Sequence, residues 1–357
     1  MADAADVERP VDGTTLTCVV VTYNGVRHVS PCLQSLLDGG VRPEAILVVD
    51  NASSDGTVEL IRRRFPAVRL LPIARNVGYG EGANLGAAVG NARYVAILNQ
   101  DVVVAPGCVE RLVSALEAEP SALLANPKIL LKDAPERINT CGNVPHYTGI
   151  TTCRDYNRPA SEYLASEEIP AISGAAFVAR RAAFDALGGF DPTFFLYLED
   201  TDLSLRAMLA GYRCLLVPEA VAFHEFEPRF APEKLFWLER NRLVMLLKTY
   251  RWPTLFALAP SLLLAEVLVL GYSGLRGWSA VAAKLRAYGW VATHLPRILR
   301  ARRAVQALRR VPDRAILARH ARDLDLDELR HPLGQLGMKL VNPQFRGWFH
   351  VLEVAAT

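Results

Sequence analysis

The stretches TLTCVVVTY (15–23), AILVVDN (45–51), VRLLPI (68–73) and YVAILNQ (94–100) decide how the N-terminal half folds. Each is a short β-branched run ending in polar residues, and ALLANP (122–127) adds another. Amphipathic stretches lie between them, among them Thr57 to Phe65 and Cys108 to Ala118. Strands separated by helical segments of this length imply βαβ units and a largely parallel sheet. In such sheets ligands collect where the strands stop. Here they stop at Thr22-Tyr23-Asn24, Asp50-Asn51, Asn76 and Asn99-Gln100-Asp101. One such ending is ordinary turn chemistry, whereas four on one predicted edge point to a binding crevice.

Working outward, residues 137 to 170 carry Gly142, Pro145, Gly149, Pro159 and Pro170 and read as a long loop region. A second structured block follows from Ile172 to His224: a strand (AAFVA), a helix (Arg181 to Leu187), the acidic stretch LYLEDTDLSLR and a strand (CLLVP). From Phe236 onward the pattern is helical. The expected organisation is a tail (1–14), an α/β domain (15–235) and a helical region (236–357). Of the 357 residues, 51% are apolar and 22% charged, which excludes disordered, collagenous and disulfide-framework classes. A net charge of +3 argues little by itself, but Arg297 to Arg322 holds nine arginines against the single acid Asp313. Six scattered cysteines without metal-ligand spacing read as buried thiols of a reducing compartment. The first twenty residues lack a basic n-region and apolar h-region, so no secretory signal is expected.

Five constellations carry chemistry. In VVDNASSDGT (48–57) the Asp50 carboxylate can accept hydrogen bonds from a base or ribose, while Ser54 and Asp55 suit capping of the next helix. RNVGYGEGANLGAA (75–88) fails the GxGxxG spacing because Ala83 stands where the third glycine belongs. Its glycines still permit close backbone approach to a ligand, and Asn84 supplies an amide. LNQDVVV (98–104) places Asp101 at a sheet edge, where it can hold a divalent cation bridging phosphates. LEDTDLSLR crowds Glu199, Asp200 and Asp202 at a helix start. Macrodipole complementation and an Asp202–Arg206 pair explain part of it. Crowded carboxylates also raise one another's pKa, which suits a general base. His224 closes the segment VAFHE; it is either structural or, with Asp101, half of a site for Mn or Mg.

In their order, VVVTYN, VVDNASSDGT, NVGYGEGANLG, LNQD, SGAAFVARR, GGFDPTFFLYLEDTDLSLR and FWLERNRL resemble the inverting family 2 glycosyltransferases of the GT-A fold, within them the bacterial rhamnosyltransferase-like members. The resemblance spans about residues 15 to 247. It implies an α/β, Rossmann-like, mostly parallel sheet flanked by helices; the C-terminal helical membrane-associating region expected after it rests on the composition of residues 252–310. It also implies that Thr22, Tyr23, Asn24, Asp50, Asn51, Asn76, Gly78, Asn84, Asn99 and Gln100 meet the nucleotide-sugar, with Ser173 and Gly174 flanking sugar and acceptor. Asp101 and His224 would hold Mn2+ or Mg2+, and Asp200, beside Glu199, would be the catalytic base. The sequence departs from the family at Asn99, where the fuller metal motif has an acid, and in HEFE after His224.

The implied reaction is inverting transfer of a sugar, L-rhamnose from dTDP-rhamnose in this reading, to a lipid-linked or polysaccharide acceptor of the cell surface. Two alternatives stay open: another donor such as a UDP-sugar, or a catalytically silent nucleotide-binding subunit of a membrane assembly. The 24 residues WPTLFALAPSLLLAEVLVLGYSGL (252–275) are long enough to span a bilayer. Pro260, Glu266 and basic flanks on both sides argue against a span. An interfacial or re-entrant helix and a buried core helix are the other readings. RILRARRAVQALRR sets Ile298, Ala301, Val305 and Leu308 on one stripe, which reads as an in-plane helix at anionic headgroups or as a solvated basic face. Nucleic acid is not an expected partner. The expected location is the cytoplasmic face of the cell membrane.

Overall fold

The computed structural model describes residues 15–226, 230–325 and 332–355; the expected tail, 1–14, lies outside them. The chain alternates at first: β1 (Leu16–Thr22), α1 (Val29–Asp38), β2 (Ile46–Asp50), α2 (Thr57–Arg64), β3 (Arg69–Pro72), α3 (Tyr79–Ala88), β4 (Tyr94–Asn99), β5 (Val102–Val104) and α4 (Cys108–Ala118). It continues through β6 (Ala122–Leu131), β7 (Ala134–Thr140), β8 (Asn143–Pro145), β9 (Thr151–Cys153), β10 (Glu167–Ile169), β11 (Ala176–Arg180), α5 (Arg181–Ala186), α6 (Glu199–Leu209) and β12 (Arg213–His224). Helices α7 (Pro232–Thr249), α8 (Trp252–Arg276), α9 (Trp278–Thr293), α10 (Leu295–Ala307), α11 (Asp313–Leu317) and α12 (Pro332–Ala355) complete it.

The main sheet runs β10-β12-β6-β11-β4-β1-β2-β3, parallel from β4 to β3, with β11 inserted antiparallel between β4 and β6. Alternation along β1 shows why both faces are covered. Leu16, Cys18 and Val20 pack with α1, α2 and α4, while Val19 and Val21 pack with Ala83 and Ala87 of α3. In-register pairing of Thr22 with Asp50 and of Val21 with Asn99 brings the polar strand ends to one rim.

Three expectations are corrected. The supposed loop over 137–170 contains β8, β9 and β10 and most of β7, because its glycines and prolines punctuate short antiparallel pairings. The boundary at 235/236 falls inside α7, which begins at Pro232 and contributes Leu235 and Val244 to the helical core. The α10 stripe does not face lipid: Ile298 and Val305 are buried in that core, and Arg302 donates to the carbonyls of Leu247 and Tyr250 at the end of α7. Arg309 pairs with Asp313 at 2.6 Å. The arginine run is therefore partly internal, serving the exposed carbonyls of a helix end. Arg297, Arg300 and Arg303 remain on the surface.

Helix α8 is the one helix among the described residues long and apolar enough to cross a membrane. Ser261, Glu266 and Ser273 point inward. Glu266 pairs with Arg242 of α7 and with Lys284 of α9 at 2.5 Å, and both cations also pair with Glu239. Two acids and two bases thus close a charge-balanced buried network. The outward side keeps Phe256, Leu263, Val267 and Leu275 exposed, and Trp278 follows at 76% exposure.

Candidate active site

At the rim, residues of β1, β4, α3, α6 and β12 and of the turn after β2 surround a cavity of about 420 Å³. Thr22, Tyr23, Asn51, Asn76, Gly78, Asn99, Gln100, Asp101, Ser173, Gly174, Glu199, Asp200 and His224 all line it. Several of them are tied to one another. Gln100 Oε1 accepts from Thr22 Oγ1 at 2.5 Å and from the Tyr23 amide at 3.0 Å, stapling the ends of β4 and β1. Asn51 donates to the Gly78 carbonyl and accepts from the Val77 amide, fixing the turn into α3. Gly78 has φ +90, and a Cβ there would lie 2.3 Å from the Phe195 carbonyl oxygen, so a side chain is excluded on both counts.

Three expected residues lie off the cavity wall. Asn24 accepts from the Ser54 amide and ties the β1 end to the β2–α2 turn. Asn84 clamps Phe190, donating to its carbonyl at 2.8 Å and accepting from its amide at 2.8 Å, because its side chain projects toward the segment after α5. Asp50 is buried at the β2 end, where Oδ2 accepts from the Ser53 amide at 3.0 Å; its Oδ1 has no partner.

Antiparallel pairing of β5 with β12 sets His224 opposite Val102 and so beside Asp101. His224 Nε2 is 3.4 Å from Asp101 Oδ1, and its Nδ1 lies 2.9 Å from Asn139 Oδ1. Asn139 fixes the orientation of the ring, so that Nε2 is the nitrogen turned toward Asp101. Burial alone would push the Asp101 carboxyl up; contact with His224 outweighs it and holds it below the usual range. Asp101 Oδ1 is buried and accepts no hydrogen bond. One carboxylate oxygen and one imidazole nitrogen thus converge, a donor set that fits Mn2+ or Mg2+ with open positions for phosphate oxygens and water. No cluster of three or more His, Cys, Asp or Glu residues suited to a metal occurs among the described residues.

The acidic pair opens α6. Tyr197 and Leu198 before it both adopt left-handed backbone, φ 67 and φ 64, a conformation unfavourable by roughly 1–2 kcal/mol per residue without glycine. Asn241 of α7 holds this turn by donating to the carbonyls of Leu196 at 2.8 Å and Tyr197 at 2.6 Å. Asp202 turns away into a buried chain, Arg206–Asp202–Lys248, at 2.8 and 2.7 Å. Glu199 and Asp200 face the cavity, where burial first and, for Glu199, repulsion by its neighbour raise both carboxyls above their ordinary values. Asp200 Oδ2 accepts from the Gly174 amide at 2.7 Å and from Asn143 Nδ2 at 2.9 Å; Oδ1 accepts from the Thr201 amide at 2.6 Å. Glu199 Oε2 is buried without a partner. Two neighbouring carboxyls with raised proton affinity thus line the same cavity as Asp101.

Sequence reasoning missed Tyr79, Asn143, Lys234 and Leu238, all on the wall. Tyr79 sits inside the quoted NVGYG motif, and its hydroxyl donates to the Gly174 carbonyl at 2.5 Å. Asn143 fell in the supposed loop. Lys234 and Leu238 fell at the expected domain boundary, where no local pattern points inward.

The glycosyl transferase family 2 model matches residues 17–188. An N-acetylglucosaminyl-diphospho-decaprenol L-rhamnosyltransferase of Mycobacterium tuberculosis is 34% identical over 233 residues, covering 58% of this chain and 75% of that protein. A pre-mycofactocin glycosyltransferase of the same species is 27% identical over 158 residues, 44% of this chain and 32% of that one. Among solved structures, GalNAc-T7 with UDP, GalNAc and Mn2+ superposes at a TM-score of 0.52 and 17% identity. That match covers 65% of this chain and 47% of the other and carries the GT-A fold alone.

Proposed function

The chain belongs to glycosyl transferase family 2, and from that premise we propose that it transfers L-rhamnose from dTDP-rhamnose, with inversion, to a prenyl-diphosphate-linked glycan. The observation that carries the mechanism is that Asp101 and His224 share one cavity with Glu199 and Asp200. The rhamnosyl donor and the lipid-linked acceptor are supported by the name of the M. tuberculosis relative.

Asp101 and His224 would hold a divalent cation, which when bound stabilises negative charge on a leaving diphosphate. Thr22, Tyr23, Asn51 and Asn76 shape the nucleotide side of the cavity. Asp200 takes the proton of the acceptor hydroxyl as its oxygen bonds to the sugar C1 and the C1–O bond to phosphate breaks, releasing the nucleoside diphosphate. Because attack and departure occupy opposite faces, a single displacement inverts the anomeric centre. Glu199 keeps the local proton affinity high. The exposed apolar side of α8 with the surface arginines 276, 297, 300 and 303 supports attachment to the cytoplasmic face of a membrane.

A panel of nucleotide sugars tests the donor. Turnover of dTDP-rhamnose is the expected result, and turnover of a UDP-sugar without it overturns that assignment. Asp200→Asn is expected to abolish transfer while donor affinity stays near normal. A variant as active as the wild type removes Asp200 as the base and, if both are inactive with every donor, the silent-subunit reading stands instead.

A further inference from the structure

Part of the cavity wall is made by the first turns of α7, through Lys234 and Leu238. The Lys234 ammonium lies 5.3 Å from the centre of the Tyr197 ring, on the turn that presents Glu199 and Asp200. Just before the helix, Phe230 packs against Tyr272 of α8, ring centres 6.0 Å apart. Arg276, the last residue of α8, lies over Phe230 at 4.8 Å and donates from Nε to the Tyr272 hydroxyl at 2.9 Å. Phe230 stands four residues before Lys234, which is on the cavity wall, and four residues of chain span at most ~14 Å. The end of the exposed apolar helix and the mouth of the cavity are therefore neighbours. Leu275 and Trp278, 60% and 76% exposed, flank Arg276 on its outer side.

Neither Lys234 nor Arg276 forms an ion pair with an acid whose position is described. Their charge stands at a junction with polar space on one side and unpartnered apolar surface on the other. A molecule with a sugar, then a diphosphate, then a long hydrocarbon chain has that same sequence of chemistry. We propose that Lys234 and Arg276 form the subsite for the diphosphate of the prenyl-linked acceptor, with the sugar hydroxyl directed inward to Asp200 and the hydrocarbon passing out along Leu275 and Trp278. This rests on the acceptor class proposed above and adds where that acceptor is gripped.

The test is direct binding of farnesyl diphosphate to the full chain in detergent, with dTDP and Mn2+ saturating so that the donor pocket is closed to the probe. Wild type is expected to bind it. Lys234→Ala and Arg276→Ala are each expected to weaken binding about tenfold, as loss of a charge-assisted contact does, and Lys234→Arg to retain most of it. Farnesol should bind weakly to all. Unchanged farnesyl diphosphate affinity in both alanine variants overturns the subsite. So does an equal loss of binding to phosphatidylglycerol vesicles, which would assign the two cations to lipid headgroups. Wild type that binds farnesyl diphosphate but transfers no sugar to a prenyl-diphosphate glycan refutes the proposed reaction and leaves the subsite intact.

Discussion

Replacing Asn143 by alanine removes one of the four hydrogen bonds that the Asp200 carboxylate accepts, the contact of 2.9 Å to Oδ2. The Gly174 and Thr201 amides remain, and β8 keeps its place because Asn143 is held there through its backbone amide to the Ala171 carbonyl at 2.8 Å. A hydrogen bond to a charged group contributes about 1.5–3 kcal/mol, and one pKa unit corresponds to ~1.4 kcal/mol. Loss of this donor disfavours the ionised form, so the carboxyl, already raised by burial, rises by about 1 to 2 further units. A base with a higher pKa is protonated over a wider acidic range. The acid limb of kcat/KM must therefore move toward alkaline pH by the same interval, with activity recovering at high pH. Asn143→Asp, which adds a negative charge beside Asp200, should move the limb the same way and further. The assay is transfer rate against pH, with Asp200→Asn as the blank. A limb that stays in place while the whole profile drops would show that Asn143 only supports the fold and that Asp200 does not govern the titration.

Asn241→Ala deprives the Leu196 and Tyr197 carbonyls of their shared donor. The expected cost is about 2 kcal/mol in denaturant unfolding, with kcat reduced more than the donor KM rises; a kcat equal to wild type excludes a positioning role. Glu266→Gln leaves Arg242 and Lys284 sharing only Glu239, and breaking such a buried network should destabilise by about 3 kcal/mol, read as a lower unfolding midpoint. His146 and His320 are buried neutral, their pKa values pushed down from 6.5 to about 3 and about 4 by desolvation. Above pH 6.5 neither state takes up a proton at these rings, but below it the unfolded chain binds protons that the native state refuses. Stability should fall by up to ~1.4 kcal/mol per pH unit for each histidine between about pH 6.5 and 4. A His146→Gln, His320→Gln variant with the same acid slope as wild type would refute this.

What could be read from the chain alone was local. Strand endings such as Thr22, Asn51 and Asp101 announce themselves by polarity after a β-branched run, and parallel pairing carries them to one rim without further information. Asn84 misleads for a related reason. It belongs to the same glycine-rich motif, but helical periodicity turns it a different way from Gly78, toward the Phe190 backbone. Long-range partners leave no such trace. Asn143 and Lys234 reach the cavity only because β8 and α7 are folded back across it, 57 residues before and 34 residues after Asp200. The arginine run shows the same limit: composition registers nine positive charges, but cannot tell that Arg302 faces helix-end carbonyls while Arg297 faces solvent.

Glu266 shows how the apolar helix and the cavity wall depend on one another. In a spanning helix an acid at this position would carry a penalty of a few kcal/mol. Here its carboxylate meets Arg242 and Lys284, and Arg242 also donates to the Thr148 carbonyl in the turn between β8 and β9. That turn follows β8, which begins with Asn143, the donor to Asp200. Helix α7 likewise holds Asn241 on one side, under the left-handed turn before Glu199, and Arg242 on the other, against α8. A load on α8, such as contact with a lipid surface, is therefore borne by the same two elements that set the geometry of the Glu199–Asp200 pair. The polar face of α8 thus fastens its outward apolar face to the elements that hold the Glu199–Asp200 pair.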